Sequence, residues 1–241
     1  MMKRLTLIAA ALVAAGCSSS SEPLGDSYFP LDVGAKWEYD VAYDINGVLT
    51  REFYSISVPR TIDYVDGTQV WVRRVEVPGS IGIEYWLRKD KIGISRIAQR
   101  LDVEEQAKLD QNARTVLKLP LSVGASWMVP TQPFAVAPKT DLGQKEVKMP
   151  KVLMTYTVEA MDETVTVPAG TFKNCARAVG VGILPLYIDA VQGFSDIPIT
   201  NREWYCKGVG LVKVERDEPL TSILWSGGTV KMELTHFELP H

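Results

Sequence analysis

Residues able to carry out chemistry are few in this chain. Two histidines occur in 241 residues, His236 and His241, both within the last six positions. Chain ends are the least ordered part of most domains, so neither is expected to serve a Ser-His-Asp or Cys-His arrangement. Metal-ligand spacing is also missing: there is no Cys-x-x-Cys, no paired histidine and no acidic twelve-residue calcium loop. The Gly-x-Gly at Gly208 and Gly210 precedes a strand-like segment and not a helix start, so it is no phosphate cradle. No metal and no cofactor are therefore expected. Among 29 acidic residues, Glu84 and Glu203 fall at matching places in the two halves. That placement permits a symmetric acid pair of the kind glycoside hydrolysis uses. The plainer expectation puts each on a solvated strand face, near Arg88 or Arg202, and Glu104 and Glu105 in a solvated pair. The chain reads as non-catalytic.

The N-terminus carries the most specific signal. Lys3 and Arg4 form a basic segment, Leu5 to Ala15 an apolar one, and Ala14, Ala15 and Gly16 a run of small residues before Cys17. The apolar run is too short to span a bilayer and has the form of a processing signal, residues 1–16. The run resembles a bacterial lipobox, with Ala14 where Leu is commonest. The resemblance implies that Cys17 becomes the mature N-terminus and bears acyl chains on its thiol and amine. One chain binds a membrane marginally, whereas two or three anchor it stably. Ser18 follows where an Asp would retain such proteins at the inner membrane, so the resemblance to that sorting rule implies the outer membrane.

Cleavage would leave 225 residues with 24 basic against 29 acidic side chains, and 46% of the whole chain is hydrophobic. An acidic balance without a basic cluster argues against nucleic acid. The partners expected are a membrane, through the acyl chains, and an envelope protein. With Cys17 lipidated, Cys175 and Cys206 remain as a disulfide in an oxidising compartment or as two buried thiols.

Positioning these residues falls to strands. Residues 17–27 form a polar tether, whose ten residues from Ser18 reach roughly 17–19 Å. Beyond Tyr28, alternating runs are separated by Asn46-Gly47, Asp66-Gly67 and Gly227-Gly228, signals for hairpins. The expected fold is mainly β, a curved antiparallel meander closing into a barrel, half-barrel or sandwich. Residues 101–118 hold helix formers and read as a short helix or loop connector. Residues 129–150 carry four prolines and read as a surface excursion. Residues 181–200 form an apolar insertion, either a lid or partner-contact loop or an added core strand.

The chain also repeats itself. FPLDVGAKW (29–37) recurs ninety residues later as LPLSVGASW (119–127), identical at six of nine positions. Gly67, Thr68 and Arg74 match Gly170, Thr171 and Arg177. Glu84-Tyr85-Trp86 and Ile92-Gly93-Ile94 match Glu203-Trp204-Tyr205 and Val209-Gly210-Leu211. Three collinear echoes predict two similar β units, residues 28–100 and 119–241. Trp37 and Trp127 then read first as core plugs, one per unit. As a ligand-stacking set they would act with Tyr187 and Phe194.

The blocks FPLDVGAKWEY (29–39), VTVPAGTFKNC (165–175) and EWYCKGVGLVK (203–213) resemble bacterial envelope lipoproteins with a TapB-like domain of unknown function. The resemblance implies a curved antiparallel β domain and brings no catalytic residues. Cys206 stands where that pattern has an ordinary small residue, which favours pairing with Cys175. Three functions follow, in this order: a lipid-anchored binding or assembly component, a carrier of lipid or another apolar ligand in a β cavity, and an envelope hydrolase.

Overall fold

The computed structural model describes residues 26–139 and 149–240. The signal peptide, Cys17 and nearly all of the tether lie outside the described residues. Twelve strands follow one another in the chain: β1 (Lys36–Ile45), β2 (Val48–Asp63), β3 (Gln69–Glu76), β4 (Ile83–Lys89), β5 (Gly93–Leu101) and β6 (Lys108–Lys118). They continue as β7 (Ser126–Thr131), β8 (Val152–Val167), β9 (Gly170–Asp189), β10 (Gly193–Cys206), β11 (Gly210–Glu218) and β12 (Gly228–Glu238). All belong to one antiparallel sheet in the order β6-β5-β4-β3-β2-β1-β12-β11-β10-β9-β8-β7. The first and last members, β6 and β7, lie side by side without a shared ladder. The result is a nearly closed barrel with one seam.

Alternation decides which residues face inward. On β1, Trp37, Tyr39 and Val41 are buried while Lys36 and Glu38 are exposed. On β9 and β10, Leu184, Leu186, Ile188, Ile197 and Ile199 point inward. Two apolar clusters result, one around Trp37, Tyr39 and Leu234, the other around Met154, Leu184 and Ile199.

The repeated block makes one turn twice. Gly34 N–H donates to Val58 O (2.8 Å), Ala35 N–H to Asp32 O (3.0 Å), and Val58 N–H to Ala35 O (3.0 Å). Gly124 to Val158 (2.8 Å), Ala125 to Ser122 (2.9 Å) and Val158 to Ala125 (2.9 Å) reproduce the set. Gly34 and Gly124 have φ of 100° and 85°, a region that suits glycine and strains other residues. Each turn delivers its tryptophan to the interior, Trp37 opposite Ile56 and Trp127 opposite Tyr156.

Two expectations need correction, and one open alternative is decided. Residues 101–118 form a turn and then strand β6, with no helix. Helix propensity yields here because β6 pairs with β5, and Asp110 is held between Arg96 (2.8 Å) and Arg114 (3.1 Å). An edge strand polar on both faces leaves little period-2 signal to read. Residues 181–200 are no lid. They lengthen β9 and β10 into a hairpin, the core-strand alternative, with inward and outward side chains in alternation. The proline-rich excursion is not confined to the surface either, since Ala135 and Val136 are each 2% exposed.

Candidate ligand-binding site

The inward face of β10 continues past Ile197 and Ile199 to Asn201, Glu203 and Tyr205, placing three polar-tipped side chains inside the barrel. Asn201 Nδ2 donates to Glu203 Oε1 (2.7 Å) and to Tyr156 Oη (2.8 Å), and Tyr205 Oη donates to Glu203 Oε2 (2.5 Å). Burial pushes Glu203 above the usual carboxylate range, against hydrogen bonds from Tyr205, Tyr156 and Asn201 that pull it down. Burial likewise raises the phenols of Tyr156 and Tyr205, and the Glu203 carboxylate raises them further.

Two cavities meet at this cluster, which is why enclosed Glu203 keeps some exposure. The larger, about 310 Å³, is lined by Val41, Tyr43, Tyr54, Val214, Met232 and Phe134 among others, with Asn201, Glu203 and Arg216 as its polar wall. The smaller, about 240 Å³, lies at the seam between Val116 on β6 and Trp127 and Val129 on β7. Arg96 and Arg114 border it, and both are tied to Asp110. An apolar wall with a few convergent polar groups is the usual make-up of a small-molecule site. A groove of about 580 Å³ on the outer surface beside Phe53 is less suited. Its acids Glu76 and Asp102 are already bound to Arg74.

Residues 132–139 pack over the end of β11 at Glu218. The Glu218 carboxylate, fully buried, accepts the backbone N–H groups of Phe134 (3.0 Å), Ala135 (2.8 Å) and Val136 (2.9 Å), and Arg216 Nε (2.6 Å). The Arg216 guanidinium also packs on the Phe134 ring at 4.7 Å. The strap thus supplies a wall of the larger cavity.

The four aromatic candidates do not form one site. Trp37 is 1% exposed, donates to Val209 O (2.7 Å) and lies under Arg73, so it is a core plug. Trp127 stacks on Tyr156 at 5.5 Å and does border the smaller cavity. Tyr187 and Phe194 meet edge-to-face at 5.4 Å on the outer face of the β9–β10 hairpin, away from the interior. Cys175 and Cys206 sit opposite each other on β9 and β10 and are joined by a disulfide, both fully buried.

Glu84 and Glu203 do not form an acid pair. Arg74 pairs directly with Glu84 across β3 and β4, but its counterpart Arg177 pairs with Trp204, so Glu203 is offset by one residue. A one-residue offset in a strand reverses the face. Glu84 therefore points outward, and it is not solvated: it is 2% exposed beneath Arg60 (2.9 Å to each oxygen) and Arg100 (3.1 Å). Glu203 points inward. Asn201, Tyr156, Tyr205, Arg216 and Glu218 escaped the sequence reading. Continuing the inward alternation from Ile197 would have found three of this cluster, Asn201, Glu203 and Tyr205.

No protein-family model matches the chain, and no curated protein matches it. The chain is similar to two solved structures. One, named an exported protein with a YmcC-like fold, is from Bacteroides fragilis, with 15% identity, a TM-score of 0.41, and coverage of 88% of this chain and 98% of that one. The other, named a lipoprotein, is from Parabacteroides distasonis, with 17% identity, a TM-score of 0.42, and coverage of 89% and 99%.

Proposed function

We propose that this protein is a lipid-anchored, non-catalytic binding protein of the bacterial cell envelope that holds a small, mostly apolar ligand inside its barrel. The observation that carries this reading is the pair of cavities meeting at Glu203, one of them at the β6–β7 seam. The volume suits a single short chain or small amphiphile and is small for a diacyl lipid. The lipobox-like segment ending at Cys17 supports the anchor, and Ser18 supports the outer membrane. The buried disulfide supports an oxidising compartment. Separation of Glu84 and Glu203 onto opposite faces weighs against a two-carboxylate hydrolase.

Two experiments test the two parts. Intact-mass measurement of the native protein is expected to give a chain starting at Cys17 with added acyl mass; retention of Met1 to Gly16 overturns the anchor. Binding of the neutral fluorophore N-phenyl-1-naphthylamine is expected to brighten the wild type and to be lost in Val214→Trp, which fills the larger cavity. Equal brightening in both overturns the interior site.

A second reading, as an assembly component with an envelope protein partner, is favoured by one feature. Val181, Ile183, Tyr187 and Phe194 form an exposed apolar row on the outer face of β9 and β10. Site-specific crosslinking from Phe194 in intact cells is expected to capture one protein partner if this reading is right, and none if the barrel acts alone.

A further inference from the structure

Buried carboxylates in proteins are almost always paired with a cation. Three in this structure obey that rule: Glu84 contacts Arg60 and Arg100, Asp110 contacts Arg96 and Arg114, and Glu218 contacts Arg216. Glu203 departs from it. Its hydrogen-bond partners, Asn201, Tyr205 and Tyr156, are neutral, and among the described residues it makes no ion pair. The neighbouring cations are committed elsewhere. Arg216 on β11 is bound to Glu218, Arg96 on β5 and Arg114 on β6 are bound to Asp110, and Arg73 on β3 stacks on Phe29 (4.5 Å) and Trp37 (4.9 Å). A second group nearby also lacks a partner: Asn201, 4% exposed, leaves its Oδ1 without a donor. Around the same cavity stand the rings of Tyr43 and Tyr54, and an aromatic face attracts cations.

We infer that the larger cavity takes a monocationic amphiphile, a protonated amine on one short apolar chain, with Glu203 as its counter-ion. This inference rests on the interior binding reading above and names its ligand class. At roughly 30 Å³ per water-sized group, the cavity holds about ten such groups, which matches a chain of about eight carbons and its ammonium. The ammonium donates to Glu203 and to the vacant acceptor of Asn201, and the chain lies against Val41, Val214 and Met232. The raised Glu203 carboxyl, faced by Tyr156, Tyr205, Asn201 and Arg216, is driven to its ionised form by the bound cation. Binding therefore weakens as acidification protonates Glu203.

The test is calorimetric titration of the full chain with octylamine, octanol and octanoate, each below its micelle concentration. Octylamine is expected to bind at least about tenfold more tightly than octanol, as a charge-assisted hydrogen bond implies, and octanoate more weakly than either. Glu203→Gln is expected to remove the amine preference, so that octylamine binds no more tightly than octanol. Failure of all three probes to bind overturns the interior site itself. Binding of octanol as tight as octylamine, or octanoate tightest, leaves the interior site standing and overturns the cationic ligand. The wild-type series decides this even if Glu203→Gln does not fold.

Discussion

Glu84 and Glu203 start from the same place in a repeated pattern and finish in opposite electrostatic situations. In the first unit the glutamate lies across from Arg74, on the outer face, under a cover of arginines. In the second, the same triplet is offset by one residue, and the glutamate enters the barrel with neutral hydrogen-bond partners and no ion pair of its own among the described residues. Burial pushes both carboxyls up. At Glu84 the guanidiniums of Arg60 and Arg100 outweigh it and hold the group below the usual range, whereas at Glu203 burial wins. The lesson is that register, more than residue identity, decided whether this glutamate became a structural ion or a cavity wall.

The largest expected effect sharpens what a paired buried carboxylate contributes. Glu218→Ala strands the Arg216 charge and three backbone N–H groups of the strap, and is expected to cost about 3–5 kcal/mol in urea unfolding. Next, the double substitution Cys175→Ala with Cys206→Ala is expected to cost roughly 3–4 kcal/mol, since the bridge spans a sequence separation of 31. If the disulfide also fixes the β9–β10 register, Glu203 in that variant titrates like an ordinary glutamate.

Smaller changes oppose the two glutamates directly. Glu84→Gln is expected to destabilise by about 1–3 kcal/mol at neutral pH, because Arg60 and Arg100 lose their partner. Its folded carboxyl is depressed, so the stability it adds is present above the unfolded value of about 4.3 and is lost as pH falls through the folded one. Glu203→Gln is expected to have the opposite sign. Its folded carboxyl is raised, so ionisation weakens the fold as pH climbs past about 4.3, and the glutamine variant gains on the wild type over that range. Melting curves from pH 4 to pH 8 check both; changes of the same sign in the two variants would break the contrast.

Much of the scaffold was legible in the residues. The Asn46-Gly47 and Asp66-Gly67 turns, the alternation of β1, and the doubled block ending at Trp37 and Trp127 all give local signals that the tertiary structure leaves in place. β6 was not legible, because Asp110, Arg114 and the exposed edge carry charge on a strand whose partner sets its conformation. The site was hidden for a different reason. Glu203 looked like its copy Glu84, and the offset that separates them lies in the register with the preceding strand, Arg74 opposite Glu84 but Arg177 opposite Trp204. The two hairpins differ in strand and turn length, so matching triplets fall into different registers. The strap was hidden as well, since its attachment depends on Glu218, more than eighty positions away.

Carboxyl titration by NMR of the glutamate-labelled protein, with Glu203→Gln and Glu84→Gln used for assignment, tests the contrast most directly. The structure predicts that the Glu203 carboxyl titrates above the ordinary glutamate range and the Glu84 carboxyl below it. Titration of Glu203 at or below the position of Glu84 would contradict an unpaired acid in the barrel, and with it the site built around that acid.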